Sequence, residues 1–309
     1  MFAHVAGAGV SVPEGIVVVG MHRSGTSAAT RLVNMLGPAL CSDLTEELSG
    51  NPTGHWESLS LIGVNDRLLS EMGRSWWCPP PAGTGFAAAD ARILTPPDEA
   101  AANFDAVHPN RPWVYKDPRL CLTLPFWRRA LDRALAVVFV YRNPIEVAKS
   151  LCARNDFSLH RGIATWERYN RLALANCGGL PTHVETYDDM VADPVGWCER
   201  VFAFLESCGL PATMPAVSTI ESFVVPQLRH SEHDRAEIAA RFETVLPVLD
   251  ALESRVGSWP SFDAPPLPPE PSWVEAEFVY IGSTGAASAT TPAAPSPRGG
   301  RGDAISLLL

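Results

Sequence analysis

The run Gly20-Met21-His22-Arg23-Ser24-Gly25-Thr26-Ser27 sets two glycines with four residues between them at the end of the apolar stretch Ile16–Gly20. A glycine-bounded turn feeding a helix presents unpaired backbone N–H groups and the positive end of the helix dipole. That is an anion site, most often for phosphate. Gly25 lets the backbone approach a ligand, Thr26 and Ser27 add hydroxyl donors, and Arg23 adds a permanent forked positive charge. The spacing is that of nucleotide phosphate loops, yet Thr26 stands where hydrolases and kinases carry the lysine that reaches the β- and γ-phosphates. Such enzymes also need an acid ending a neighbouring strand to hold magnesium. The strand expected at Val137–Tyr141 ends in Arg142, whereas Trp113–Lys116 runs into Asp117-Pro118. The loop therefore suits one phosphate with a less charged transferring group beyond it. A small-molecule kinase using Mg-ATP, with Asp117 on the metal, is the alternative, and a tight turn without a ligand is the bland one.

Two further cations stand at strand ends. Lys116 follows three β-forming residues and precedes Asp117-Pro118, so it is not on a solvated helix face. Arg142 ends an apolar strand, the edge at which open α/β sheets bind ligands. Its competing reading is an ion pair with Glu146. Ser150, alone, is an ordinary mid-helix serine. Trp56, Trp76, Trp77 and Trp113 line an acceptor or adenine pocket or, by default, pack in the core. Arg229-His230 and His233 read as the solvated start of a helix.

Four segments in order, over roughly residues 15 to 235, resemble the sulfotransferases that use 3′-phosphoadenosine 5′-phosphosulfate (PAPS). GMHRSGTSAATRLVNMLG resembles their 5′-phosphosulfate loop, and NPTGHWES the NP-x-G-[YH]-WE segment of bacterial members, with Val64-Asn-Asp-Arg-Leu-Leu69 after it. WVYKDPRLCLTLPFW resembles their KDPR-containing strand and turn. FVYRNPIEVAKSL resembles the 3′-phosphate segment, an arginine with a serine eight residues later. The resemblance implies that His22, Arg23, Ser24, Gly25, Thr26 and Ser27 hold the 5′-phosphosulfate, and Arg142 with Ser150 the 3′-phosphate. It implies that Lys116 and Arg23 neutralise the transferring group, and that Glu57 accepts the acceptor's proton, with His55 as runner-up. Asp43, Glu46 and Glu47 are the third choice for that base, and Glu57 beside Trp56 reads alternatively as a loop staple. Asp117 orients Lys116 or caps its turn. The products are a sulfate ester and adenosine 3′,5′-bisphosphate (PAP), without a metal. A nucleotide-binding protein without catalysis is the remaining reading.

Strands alternating with helices must position these groups, which predicts a three-layer parallel sheet flanked by helices; the resemblance implies that this is the P-loop-like sulfotransferase fold. We expect a loose leader over residues 1–14 and a domain over 15–260, with a proline- and glycine-rich surface excursion at 79–112 shaping the acceptor pocket. Helices are expected around Ala88–Phe104, at Leu59–Met72 and over Glu232–Val256. The tail 261–309, rich in proline, alanine and glycine, reads as disordered, and its Arg301-Gly-Asp303 as a chance tripeptide. A net charge of −10 argues against nucleic-acid partners and anionic membranes. No apolar run reaches bilayer length. Seven irregularly spaced cysteines indicate neither zinc cluster nor disulfide framework, and with the absence of a basic leader segment they suggest a cytoplasmic protein. The partner is a hydroxylated small molecule. Its class and the oligomeric state are not encoded legibly.

Overall fold

The computed structural model describes residues 12–45, 54–82, 86, 92–224 and 235–283. Five strands, β1 (Gly15–Val19), β2 (Trp113–Lys116), β3 (Leu135–Tyr141), β4 (Thr182–Thr186) and β5 (Gly257–Trp259), form one sheet in the order β2-β1-β3-β4-β5. The first four run parallel, with Val18 opposite Lys116 and Val19 opposite Phe139. The fifth pairs antiparallel with β4.

The apolar runs of β1 and β3 are continuous because both faces of the sheet are covered. Val17, Val19, Val137 and Phe139 enter one core, shared with α2 (Leu59–Glu71), α3 (Pro97–Val107), α4 (Leu120–Leu131), α5 (Pro144–Asn155) and α6 (Leu159–Asn176). Ile16, Val18, Ala136 and Val138 enter the other, shared with α1 (Thr26–Met35), α7 (Tyr187–Ala192), α8 (Pro194–Ser207) and α9 (Val217–Phe223). Strand alternation thus splits one β-strand between two cores. Beyond the outer edge of β2, Ala39 makes a parallel bridge to Trp113. No helix among the described residues is long and apolar enough to cross a membrane.

Three expectations are corrected. Of the helix expected around Ala88–Phe104, residues 88–91 lie outside the described residues, 92–96 are not helical and α3 starts at Pro97, where Pro96-Pro97 disfavours helical geometry upstream. The helix expected over Glu232–Val256 is divided into α10 (Arg235–Phe242), a 3₁₀ turn at Glu243–Val245 and α11 (Leu246–Glu253). Pro247 has no N–H to continue the ladder and fits only a first turn. The segment beyond Ser261 holds α12 (Ser272–Ser283), whose Val274 and Phe278 bury against Ala164 of α6. Buried Arg168 on α6 bonds Glu270, Glu275 and the Pro79 carbonyl, and Arg171 donates to the Pro268 carbonyl. The prolines stretch the chain into a strap that these arginines hold. The tripeptide at 301–303 lies outside the described residues.

Candidate active site

The loop from Gly20 to Gly25 leaves the C-terminal end of β1 and opens α1. Gly25 is left-handed at φ 82°, and a Cβ there would overlap Tyr187, while one at Gly20 would overlap the Val140 carbonyl. Both glycines are therefore required by close approach. Arg23 is also left-handed, at φ 68°, an uncommon state for a residue with a Cβ. No side chain caps α1 and no acid lies in its first turn. The first helical bond runs from Ala29 N to the Gly25 carbonyl, which leaves the N–H groups of Gly25 to Ala28 outside the ladder. Ser24 Oγ is buried in the same loop without a hydrogen-bond partner. Open N–H groups and an orphaned hydroxyl make a cradle that phosphate oxygens fit.

Asn143 starts α5 by accepting from Ile145 N at 2.9 Å, which fixes Arg142 just outside the helix. Arg142 Nε donates to Glu146 Oε2 at 2.8 Å, and its guanidinium lies 4.2 Å from the Tyr187 ring. The ion pair weighed against phosphate binding thus exists, but buried beside the loop rather than solvated, with side-chain exposures of 10% and 5%. Arg23 Nε donates to Ser150 Oγ at 2.7 Å, so the loop reaches across to α5. Burial, then Arg154 and Arg142, push the Arg23 guanidinium down to about 10. Among the described residues, Glu146 is the one acid paired at this cluster of guanidinium groups, so positive charge is left in excess beside the loop.

Lys116 is buried at the end of β2, where its Nζ donates to Glu57 Oε1 at 2.6 Å and to Ser27 Oγ at 3.2 Å. Ser27 Oγ in turn donates to the His55 carbonyl at 3.3 Å. Glu57, His55, Lys116 and the loop therefore meet at one place. Burial, followed by Lys116, Arg154 and Arg23, pushes His55 down to about 4. His22 is likewise held well below the usual histidine range, by burial first and then by Arg119 and Arg154. Both imidazoles carry a buried Nε2 without a hydrogen-bond partner.

A cavity of about 200 Å³ opens beside this cluster, lined by Arg23, His55, Glu57, Trp76, Arg119 and Arg154 among others. A smaller one, about 50 Å³, lies against Gly25, Thr26, Ser27 and Lys116. Trp76 stacks 6.0 Å from Phe157, and His22 lies 4.8 Å from Trp76. Trp113 is wholly buried between Phe104 and His108, so it serves the core. Trp56 lies under Arg31, and Trp77 packs edge-on against Trp76.

Asp43 accepts from Ser58 Oγ and from Ser60 N and Oγ, so this carboxylate organises the start of α2. Glu46, Glu47, Arg229, His230 and His233 lie outside the described residues. Asp117 accepts from Asn65 Nδ2 at 2.8 Å and from Arg119 N and Nη1. Asn65 spends its Oδ1 on Thr123 and Trp127, and Asp66 pairs with Arg119. The Val64–Leu69 segment therefore ties α2 to the turn after Lys116. Burial opposes the Arg119 charge, but Asp117 and Asp66 more than offset it and push the guanidinium up. Sequence reasoning assigned no role to Arg154; its signal was the four-residue step from Ser150 on one helix face.

An uncapped helix N-terminus behind a glycine loop, at the C-terminal ends of a parallel sheet, is an arrangement common to phosphate-binding α/β proteins. The model of the sulfotransferase family matches residues 13–211, and the chain belongs to that family. Among solved structures, the sulfotransferase domain from the curacin biosynthetic pathway is similar to it. Their identity is 13%, with coverage of 88% of this chain and 99% of that one and a TM-score of 0.38. No curated protein matches.

Proposed function

We propose that the chain transfers a sulfuryl group from PAPS to a hydroxyl of a small-molecule, carbohydrate or lipid acceptor, releasing PAP. The observation that carries this reading is the convergence of Arg23, Arg142 and Ser150 on the open N-terminus of α1. The N–H groups of Gly25 to Ala28, with Ser24 and Thr26, hold the 5′-phosphate, and His22 borders them. Arg142 and Ser150 take the 3′-phosphate, for which Arg142 must share its guanidinium with Glu146. The acceptor oxygen attacks sulfur in line, forming one S–O bond as the bond to the 5′-phosphate breaks. Glu57 takes the hydroxyl proton: Lys116 engages its Oε1, and no hydrogen bond among the described residues engages Oε2. Lys116 and Arg23 offset the charge that moves to the leaving phosphate.

The Mg-ATP kinase reading asks for a free carboxylate at Asp117. Its two oxygens accept from Asn65 and from Arg119, a cation, which favours a role in the turn. Independence from metal and a cytoplasmic location belong to the same proposal. A thermal-shift titration tests the donor, since a ligand that binds only the folded state raises the melting temperature. PAP should raise it with or without EDTA. A larger shift with Mg-ATP, abolished by EDTA, would refute the assignment.

A further inference from the structure

The face of α5 turned toward the loop carries Glu146, Ser150 and Arg154 at four-residue steps, which stack on one side of a helix. Glu146 accepts from Arg142 and Ser150 accepts from Arg23, so the first two are committed to groups at the phosphate loop. Arg154 is the third, and no carboxylate or carbonyl among the described residues accepts from it. A cation in the last turn complements the helix dipole, which explains why arginine is tolerated there. It does not explain why the side chain lines both cavities.

The other charges around the larger cavity are accounted for. Arg119 is paired with Asp117 and Asp66, and Glu57 with Lys116. Arg23 belongs to the phosphate loop. Once a donor occupies that loop, Arg154 is the positive charge left among the described residues that line the acceptor space, which it shares with the apolar side chains of Ile62, Leu151 and Trp76. His22 and His55 border the same space as neutral imidazoles with unpartnered Nε2 atoms, so neither adds a competing charge.

We propose that Arg154 is a specificity-determining residue that holds a carboxylate or phosphate carried by the hydroxyl-bearing acceptor. The inference rests on the donor reading above. A guanidinium grips both anions by the same forked geometry, so the shared chemistry is an oxyanion one short molecule away from the hydroxyl.

The test is a calorimetric titration of PAP-saturated protein with glycerate, glycerol 3-phosphate and glycerol, for the native chain, Arg154→Gln and Arg154→Lys. At least one anionic probe should bind about tenfold or more tighter than glycerol, the scale of a charge-assisted contact. Which of the two binds identifies carboxylate or phosphate. Arg154→Gln should erase the preference while changing PAP affinity less than about twofold, and Arg154→Lys should keep part of it. Equal binding of anionic and neutral probes, or no binding of any, overturns the inference. So does a loss of PAP affinity of about tenfold in Arg154→Gln, which would put Arg154 on the donor. Failure of the native chain to bind PAP removes the donor reading and this inference with it, whereas PAP binding without an anion preference removes the inference alone.

Discussion

Lys116 Nζ stands 2.6 Å from Glu57 Oε1 and 3.2 Å from Ser27 Oγ, so a single lysine at the end of β2 joins the proposed proton acceptor to the phosphate loop. Glu57→Gln preserves a partner for Lys116 but removes the base. Turnover should fall by about 10²- to 10⁴-fold, the usual worth of a positioned general base, with PAP affinity unchanged. His55→Gln should cost far less. The reverse ranking in steady-state assays with labelled PAPS would transfer the role to His55.

Arg142 is shared between Glu146 and the loop, and its loss should be felt in donor binding before chemistry. Arg142→Ala should weaken PAP by about ten- to a hundredfold, as expected for roughly 1.5–3 kcal/mol of hydrogen bonding by a charged group. Calorimetry on the variant measures this directly. An unchanged affinity would leave Arg142 as a partner of Glu146 only.

Three histidines give the protein an acid-sensitive stability. His22 is held well below the histidine range, and burial pushes His55 and His108 down to about 4 from an ordinary 6.5. Each is neutral in the folded chain and takes a proton in the unfolded chain below 6.5. Their contribution is therefore complete above pH 6.5 and is lost progressively as pH falls below it, toward 4 for His55 and His108. Melting temperatures across this window should drop, and His108→Gln, which touches only the core beside Phe104 and Trp113, should show a shallower drop than the native chain. A parallel curve would reject the contribution of His108.

The strap and α12 should matter to stability independently of the donor. Phe278 is buried and its ring lies 4.6 Å from the Arg168 guanidinium, so Phe278→Ala removes both packing and a cation–π partner. A loss of about 3 kcal/mol in denaturant unfolding is expected for such a truncation. PAP affinity should not change, since nothing in α12 lines either cavity. Loss of donor binding at conditions where the variant is folded would contradict this separation.

The strands and the phosphate loop were legible because each depends on local sequence. The runs of β1 and β3 are apolar at every position since both sheet faces are covered, and the glycines of the loop are fixed by a turn. Lys116 and Arg142 could be placed at strand ends by the same reading. Glu146, four residues after Arg142, could be weighed as its partner for the same reason, whereas what Lys116 and Arg23 touch was not legible, because their partners come from distant segments: Glu57 lies 59 residues from Lys116, and Ser150 lies 127 from Arg23. The C-terminal helix was missed for a related reason. Proline dominates the composition around residues 264–271, while the acid that anchors it, Glu270, acquires meaning only opposite Arg168 on α6. Arg154 sat at a helical step from Ser150, but spacing alone does not distinguish a cation facing a cavity from one facing water.

The two flanks of the sheet have a bearing on how this protein behaves at high concentration. β5 runs antiparallel along β4, and Ala39 bridges Trp113 on the outer side of β2. An uncovered strand offers a row of main-chain donors and acceptors to any neighbour, and it is the usual starting point for intermolecular strand addition. Here one border, β5, is a strand of three residues, and the other, β2, is bridged by Ala39. A neighbour adding to the sheet would meet only three residues on one side and would have to displace the Ala39 segment on the other, so both borders offer little length for strand addition.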